Sequence, residues 1–387
     1  MKYNFIDIVD RIKFGSAKWL WMQEKNPNIP KDIVPFSVAD MEFEIAPNLE
    51  NVLKNAKHLG YTRANDSYYE AIISWFKRRH KLTFKKEWIV TSQGIVFALH
   101  TAIKSYSNKG DNIIIMPPVY YPFFRAIQKT GRKILRNSLK FDGKKYTINF
   151  KDLENKAKKA KILILCNPHN PVGRVWNKDE LDKVAKICNE NSVVVISDEI
   201  HCDLVFNKFT SFSKVAKDTN FILCTAPSKS FNIAGIQASN IIIKDKKLRK
   251  LYKNELDNIG VHLLNALAYD MTKVAYNECE EWLDTALSVI KENKEMLFNF
   301  IKDEIPLIKV CDLEGTYLMW LDFRKLGFSA KKLEEFMTKK AFIFGDEGYI
   351  FGKEGEGFER INIACPKNVL KDALIRLKDA LKDEKLL

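Results

Sequence analysis

The 387-residue sequence has no Cys-x-x-Cys pair and no cysteine–histidine cluster at zinc-ligand spacing; its seven cysteines stand apart at positions 166, 188, 202, 224, 279, 311 and 365. That spacing indicates neither a disulfide framework nor a structural metal. Several of these cysteines fall in apolar runs, where a reduced thiol behaves as a small hydrophobe. No apolar run approaches the ~18–20 residues of a transmembrane helix; the longest are bursts such as Ile113–Met116 and Val193–Ile196. A membrane partner is therefore not expected. Asp7 and Asp10 stand where a signal peptide needs its apolar stretch, so a cytoplasmic protein is expected. Repeats, low-complexity tracts and Pro/Gly/Ser-rich linkers are also missing.

Arginine is scarce as well. Only 12 of the 63 basic residues are Arg, although the formal net charge is +14. Arg is the residue suited to bidentate base and phosphate contacts, and here the lysines are scattered among acids in amphipathic segments such as Asp179–Lys186, as on a solvated basic face. No nucleic-acid partner is expected. What the chain does contain is 46% hydrophobic and 12% aromatic residues beside 29% charged ones, the composition of a globular protein with a large core.

Between about residues 90 and 245, short β-branched runs alternate with helical stretches, as in a doubly wound α/β unit. The predicted strands are Asn112–Met116, Ile162–Cys166, Val193–Ser197, Phe221–Thr225 and Asn240–Ile243, continuous apolar runs suited to parallel strands buried on both faces. Helices are predicted over Ile95–Tyr106 and Lys178–Asn189. Residues 1–45 read as irregular. After a long helical stretch from about Glu278 to Lys302 the texture turns α+β, with a strand over Gly315–Phe323 and helices over Lys331–Lys339 and Val369–Leu381. The expected fold class is α/β: a doubly wound, mostly parallel sheet in a large domain, residues 46–284, and a smaller α+β domain built from both chain ends, 1–45 and 285–387.

In open parallel sheets, ligands bind beyond the carboxyl ends of the strands. Three of the predicted strands deliver polar groups there: Asn167-Pro168-His169-Asn170-Pro171-Val172-Gly173, Asp198-Glu199-Ile200-His201, and Ala226-Pro227-Ser228-Lys229-Ser230-Phe231-Asn232. Each alone also reads as a turn, a helix cap or a surface lysine. An amide, a carboxylate and a lysine at one sheet edge suit pyridoxal phosphate. The lysine amine forms a Schiff base with its aldehyde, the carboxylate keeps the ring nitrogen protonated, and the amide hydrogen-bonds the ring oxygen. Thr91-Ser92-Gln93-Gly94-Ile95-Val96 adds a small-residue turn opening a helix, whose free N–H groups attract a phosphate.

These runs, with Gly60-Tyr61 upstream and Arg360 downstream, resemble the fold type I, class I/II aminotransferase-like enzymes over nearly the whole chain. Within that family, Val38-Ala39-Asp40-Met41-Glu42-Phe43, Asp198–His201 and Ala226–Asn232 look most like the cystathionine β-lyase or C-S lyase branch. The resemblance implies that Lys229 carries the Schiff base and then acts as the base at the substrate Cα. It implies Asp198 at the pyridinium nitrogen, Asn170 at the ring 3-oxygen and Tyr120 stacked on the ring, where plain core packing is the other reading of the Tyr120–Phe123 aromatic cluster. Gly94, Ile95, Val96 and Ser228 would hold the phosphate, reached by Tyr61 from a second subunit of a homodimer. Arg360, with Asn170 and Ala39, would receive the substrate carboxylate.

Two positions depart from the aminotransferase pattern. His201 stands where a tyrosine usually donates to the ring oxygen, and Gln237 where a phosphate-binding arginine is common. His201 is compatible with a ring that titrates near neutrality or with a packed, neutral one. Both departures agree with the lyase branch, whose reaction is β-elimination on sulfur-containing L-amino acids such as cystathionine or cysteine, giving a thiol or sulfide, pyruvate and ammonia. An aminotransferase using the same cofactor, and a regulatory or interaction protein with secondary lyase activity, are the alternatives.

Overall fold

The apolar runs in the middle of the chain pair into a seven-stranded sheet in the computed structural model, which describes residues 2–387. In chain order the strands are β1 (Ile89–Ser92), β2 (Asn112–Ile115), β3 (Lys133–Arg136), β4 (Lys140–Phe141), β5 (Tyr146–Thr147), β6 (Ala160–Cys166), β7 (Val194–Asp198), β8 (Phe221–Thr225) and β9 (Ser239–Ile242). β4 and β5 pair only with each other; the rest lie in the order β1-β9-β8-β7-β6-β2-β3. The neighbours from β8 to β3 are parallel. The run Asn240–Ile243, expected among the parallel strands, runs antiparallel to both β8 and β1 as β9. Its composition suits burial on both faces in either direction, so apolarity does not report strand sense. Two reversals restore direction, and the carboxyl end of β1 lies at the same edge as those of β6, β7 and β8.

Strand periodicity divides the core into two layers. Ile162, Ile164, Ile196, Ile222 and Ile241 pack on one face with Ile95, Leu99 and Ile103 of the helix Gly94–Tyr106 and with Tyr252 of the helix Lys246–Asn258. Leu163, Leu165, Val195 and Leu223 pack on the other, with Leu181 and Val184 of the helix Lys178–Glu190 and with the rest of the molecule. That helix starts with a complete capping box: Asn177 Oδ1 accepts from Glu180 N, and Glu180 Oε2 accepts from Asn177 N, both at 2.9 Å.

A second, antiparallel sheet holds β10 (Lys309–Val310), β11 (Leu318–Asp322), β12 (Asp346–Glu347) and β13 (Phe358–Asn362) in the order β10-β11-β13-β12. The helices Glu280–Glu304 and Lys367–Asp383 accompany it. The predicted helix over Lys331–Lys339 divides into an α-helical turn, Ala330–Glu335, and a wider π-helical turn, Phe336–Lys340. Residues 1–45 are not wholly irregular. Ala17–Lys25 is a helix that buries Trp19 and Met22, and its short, polar sequence hides that periodicity. Residues 36–42 then lie along β13, with Asn362 N donating to Phe36 O at 2.9 Å and Glu42 N to Ala364 O at 2.8 Å. We propose that the two sheets mark the two domains, 46–284 around the larger and both chain ends around the smaller.

Candidate active site

The register Cys166–Asp198–Cys224 aligns the last residues of β6 and β7 with the penultimate residue of β8, so the loops that follow start side by side. The first loop is held rigid by its own backbone and by Asn167. His169 N donates to Arg174 O at 2.7 Å, Asn167 Nδ2 to Thr210 O at 3.0 Å, and Trp176 N to Asn167 Oδ1 at 3.1 Å. It carries Asn170. The second begins at Asp198, and the third places Lys229 four residues past β8.

These loops open on a cavity of about 140 Å³. Lys229, Asp198, Asn170, His201 and Tyr120 line it, joined by Gly94, Ile95, Val96 and Ser228 and by Ala39. The structure therefore brings ten of the predicted residues together. Arg360 lies just outside the wall, its Nη1 donating to Asn170 Oδ1 at 2.8 Å. Tyr61 is not part of the cavity; its side chain is fully exposed on this chain, with a relative accessibility of 102%.

Burial dominates the electrostatics. Asp198 accepts a backbone bond from Ile200 N at 3.2 Å, and burial pushes its carboxyl up to about 7, against the lowering effect of that bond and of Lys229. Burial pulls the Lys229 amine down to about 8, with Asp40 opposing and Arg360 reinforcing the shift. Lys229 Nζ donates to Ala39 O at 2.6 Å. His201 is pushed well below the usual histidine value by burial and by Lys229 and Arg360, the direction that favours the packed, neutral ring of the two readings the sequence left open. Its Nδ1 is buried with no hydrogen-bond partner.

The part of the cavity lined by Gly94, Ile95 and Val96 is built on a helix terminus. Gly94 adopts φ +78°, a region that L side chains rarely enter, and opens the helix Gly94–Tyr106, whose first-turn N–H groups have no intrahelical acceptor. A Cβ at Gly94 would come within 2.7 Å of Gln237 Oε1, which puts Gln237 at this end too.

Several contributors escape sequence reasoning. Tyr317, buried on the small sheet side, donates its hydroxyl to Ala39 O at 2.9 Å. Asp346 pairs with Arg360. Lys18 and Arg11 anchor the segment 38–43 from below: Lys18 Nζ meets Asp40 Oδ1 at 2.7 Å and Glu42 Oε1 at 2.5 Å, and Arg11 meets the same two carboxylates at 2.8 Å. Burial of Asp40 is outweighed by these two cations, which hold its carboxyl down at about 2. The only available signal was the charge pattern of Val38–Phe43 itself.

The class of protein follows from this arrangement and from one match: residues 32–377 fit the family described as aminotransferase class I and II, and the chain belongs to that family. It lies in the cystathionine β-lyase and C-S lyase branch. The chain is 37% identical to cystathionine beta-lyase PatB of Bacillus subtilis (strain 168), over 98% of this chain and 100% of that protein. It is 30% identical to Protein MalY of Escherichia coli (strain K12), over 98% and 99%. Among solved structures, cystalysin from Treponema denticola, which contains a pyridoxal 5′-phosphate cofactor, superposes with a TM-score of 0.96 at 43% identity, covering 99% of this chain and 100% of that one. The PLP-bound C-S lyase from Staphylococcus hominis gives 0.91 at 33% identity, over 98% of each chain. The fold is the type I fold of pyridoxal-phosphate enzymes.

Proposed function

We propose that this protein is a pyridoxal-phosphate-dependent carbon–sulfur β-lyase that cleaves cystathionine- or cysteine-type L-amino acids to a thiol or sulfide, pyruvate and ammonia. The observation that carries the reading is the convergence of Lys229, Asp198 and Asn170 on one cavity that ends in a helix N-terminus. The residues fit the cofactor. A buried carboxylate with its acidity suppressed and a face on the cavity suits a cationic ring nitrogen, and the Gly94 turn suits a phosphate. When bound, pyridoxal phosphate supplies an electron-withdrawing cationic ring that accepts the electron pair released at the substrate Cα.

The chain's own groups do the rest. Lys229, its amine already drawn down to about 8, would hold the cofactor aldehyde and, as a free amine, would take the Cα proton. Asp198 would face the ring nitrogen and keep it protonated. Asn170 binds the ring oxygen and shares the carboxylate site with Arg360, whose planar fork suits bidentate binding. Tyr120, which lines the same cavity, would lie against the ring. The thiolate on Cβ is a good leaving group, and water converts the remaining fragment to pyruvate and ammonia. Neutral His201 in place of the usual tyrosine, Gln237 in place of the usual arginine, and the names of the relatives support elimination over transamination.

Fully exposed Tyr61, with Phe14 and Leu59 each more than two-thirds exposed, supports a homodimer in which Tyr61 completes the partner's phosphate site. Seven free, buried thiols support a reducing, cytoplasmic setting. Incubation with L-cystathionine, with and without a keto-acid acceptor, tests the reaction. Equal amounts of pyruvate and ammonia are expected without the acceptor; turnover only in its presence contradicts elimination. Lys229→Ala should lower turnover by at least ~10²–10⁴-fold.

A further inference from the structure

Asp346 stands opposite Arg360 in the β12–β13 register. Its Oδ2 accepts three donors: Arg360 Nε at 3.2 Å, Arg360 Nη2 at 2.5 Å, and the backbone N–H of Val38 at 3.0 Å. A guanidinium has five N–H groups. Asp346 takes two and Asn170 Oδ1 a third, which leaves one N–H on each terminal nitrogen, as a bidentate carboxylate requires.

The bond to Val38 reaches the other end of the site. Val38 is β-branched and sits at φ +57°, a conformation such residues hold only where their surroundings enforce it. The next residue, Ala39, presents the carbonyl that accepts Lys229 Nζ at 2.6 Å and Tyr317 OH at 2.9 Å. Asn362 Nδ2 ties down the carbonyls on either side, Val38 O at 2.8 Å and Asp40 O at 2.6 Å. A continuous line of polar contacts thus runs from Arg360 through Asp346 and the strap Val38-Ala39 to Lys229.

We propose that Asp346 is a positioning residue that sets the Arg360 fork for a substrate α-carboxylate and transmits the filling of that fork, through Val38-Ala39, to the amine of Lys229. The inference rests on the proposed role of Arg360 as carboxylate clamp. An incoming carboxylate shares the guanidinium charge with Asp346. Its grip on Arg360 then loosens, its bond to Val38 N tightens, and the Ala39 carbonyl is held toward Lys229 when the amine is free.

The test uses the cofactor-loaded enzyme and L-alanine, which has no leaving group, with binding read from the cofactor absorbance. Asp346→Asn keeps the size of the side chain and removes its charge. It should raise the dissociation constant for L-alanine about tenfold, the effect of losing one bond between charged groups. The pH midpoint of the cofactor absorbance should fall, because Arg360 is left uncompensated near a protonated nitrogen. Asp346→Glu should recover part of both. A variant that loses only thermal stability, with both readouts unchanged, overturns the proposal. If Asp346→Asn does not fold, Asp346→Glu carries the test, and wild-type values for both readouts overturn it. Arg360→Lys separates the two failures. If it leaves L-alanine binding intact, the clamp itself is wrong; if it weakens binding while Asp346→Asn does not, only the coupling is lost.

Discussion

A carboxylate pushed up to about 7 is a destabilising group until something cationic faces it, and Asp198 is such a group. Glu199 shares the condition. Its Oε1 accepts from Ser197 Oγ at 3.0 Å and from Phe212 N at 2.8 Å, yet burial still pushes it to about 7. Both acids bind a proton more tightly folded than unfolded, so their favourable contribution is present below about pH 4, the unfolded value, and is lost as the pH rises to 7. In cofactor-free protein at pH 8, Asp198→Asn should therefore raise the melting temperature by about 3 °C while weakening cofactor binding. A lower melting temperature contradicts the burial argument. Lys229, Asp198 and Asn170 were legible because each follows an apolar run that had to be a strand. Tyr317 and Asp346 were not, since nothing local in Gly315–Phe323 or around position 346 tells which side chains turn toward a loop hundreds of residues earlier.

Elements place these groups through their ends. The helix Gly94–Tyr106 offers its amino terminus only because Gly94 tolerates φ +78°. Gly94→Ala should cost about 1–2 kcal/mol of stability and loosen the cofactor, measured by thermal melting and by cofactor titration. The strap 38–43 depends on charge. Lys18 has no exposed side-chain surface, and Glu42 beside it is 2% exposed. Lys18→Ala should destabilise the protein by about 3–5 kcal/mol, because it leaves a buried carboxylate short of a cation; denaturant melts would show it, and an unchanged midpoint would argue that the pair is dispensable. The five strands predicted in the larger sheet were read within two residues, since apolar runs bounded by polar turns mark burial directly; Gly315–Phe323 starts three residues before β11, and the edge strands β1 and β3 were not predicted. The sense of β9 and the helix Ala17–Lys25 were missed because direction and a nine-residue polar helix leave little periodic trace.

At the scale of the whole molecule, the two sheets meet where Arg360 of β13 donates to Asn170 of the loop after β6, so the proposed carboxylate site spans both. The alternation of strand and helix made the larger sheet legible. The smaller one takes strands that pair across long sequence separations, a pattern that composition does not carry. The fully exposed Tyr61 makes a dimer testable by complementation. Tyr61→Ala and Lys229→Ala proteins, each inactive alone, should recover about a quarter of wild-type activity when unfolded and reassembled together, since half the dimers then hold one intact site of two. No recovery would place both residues in one protomer's site. The proposed chemistry turns on one amine. Reduction of cofactor-loaded protein with borohydride, followed by peptide mass mapping, reads it most directly: a pyridoxyl adduct on Lys229 is predicted, and an adduct on any other lysine, or none, would contradict it.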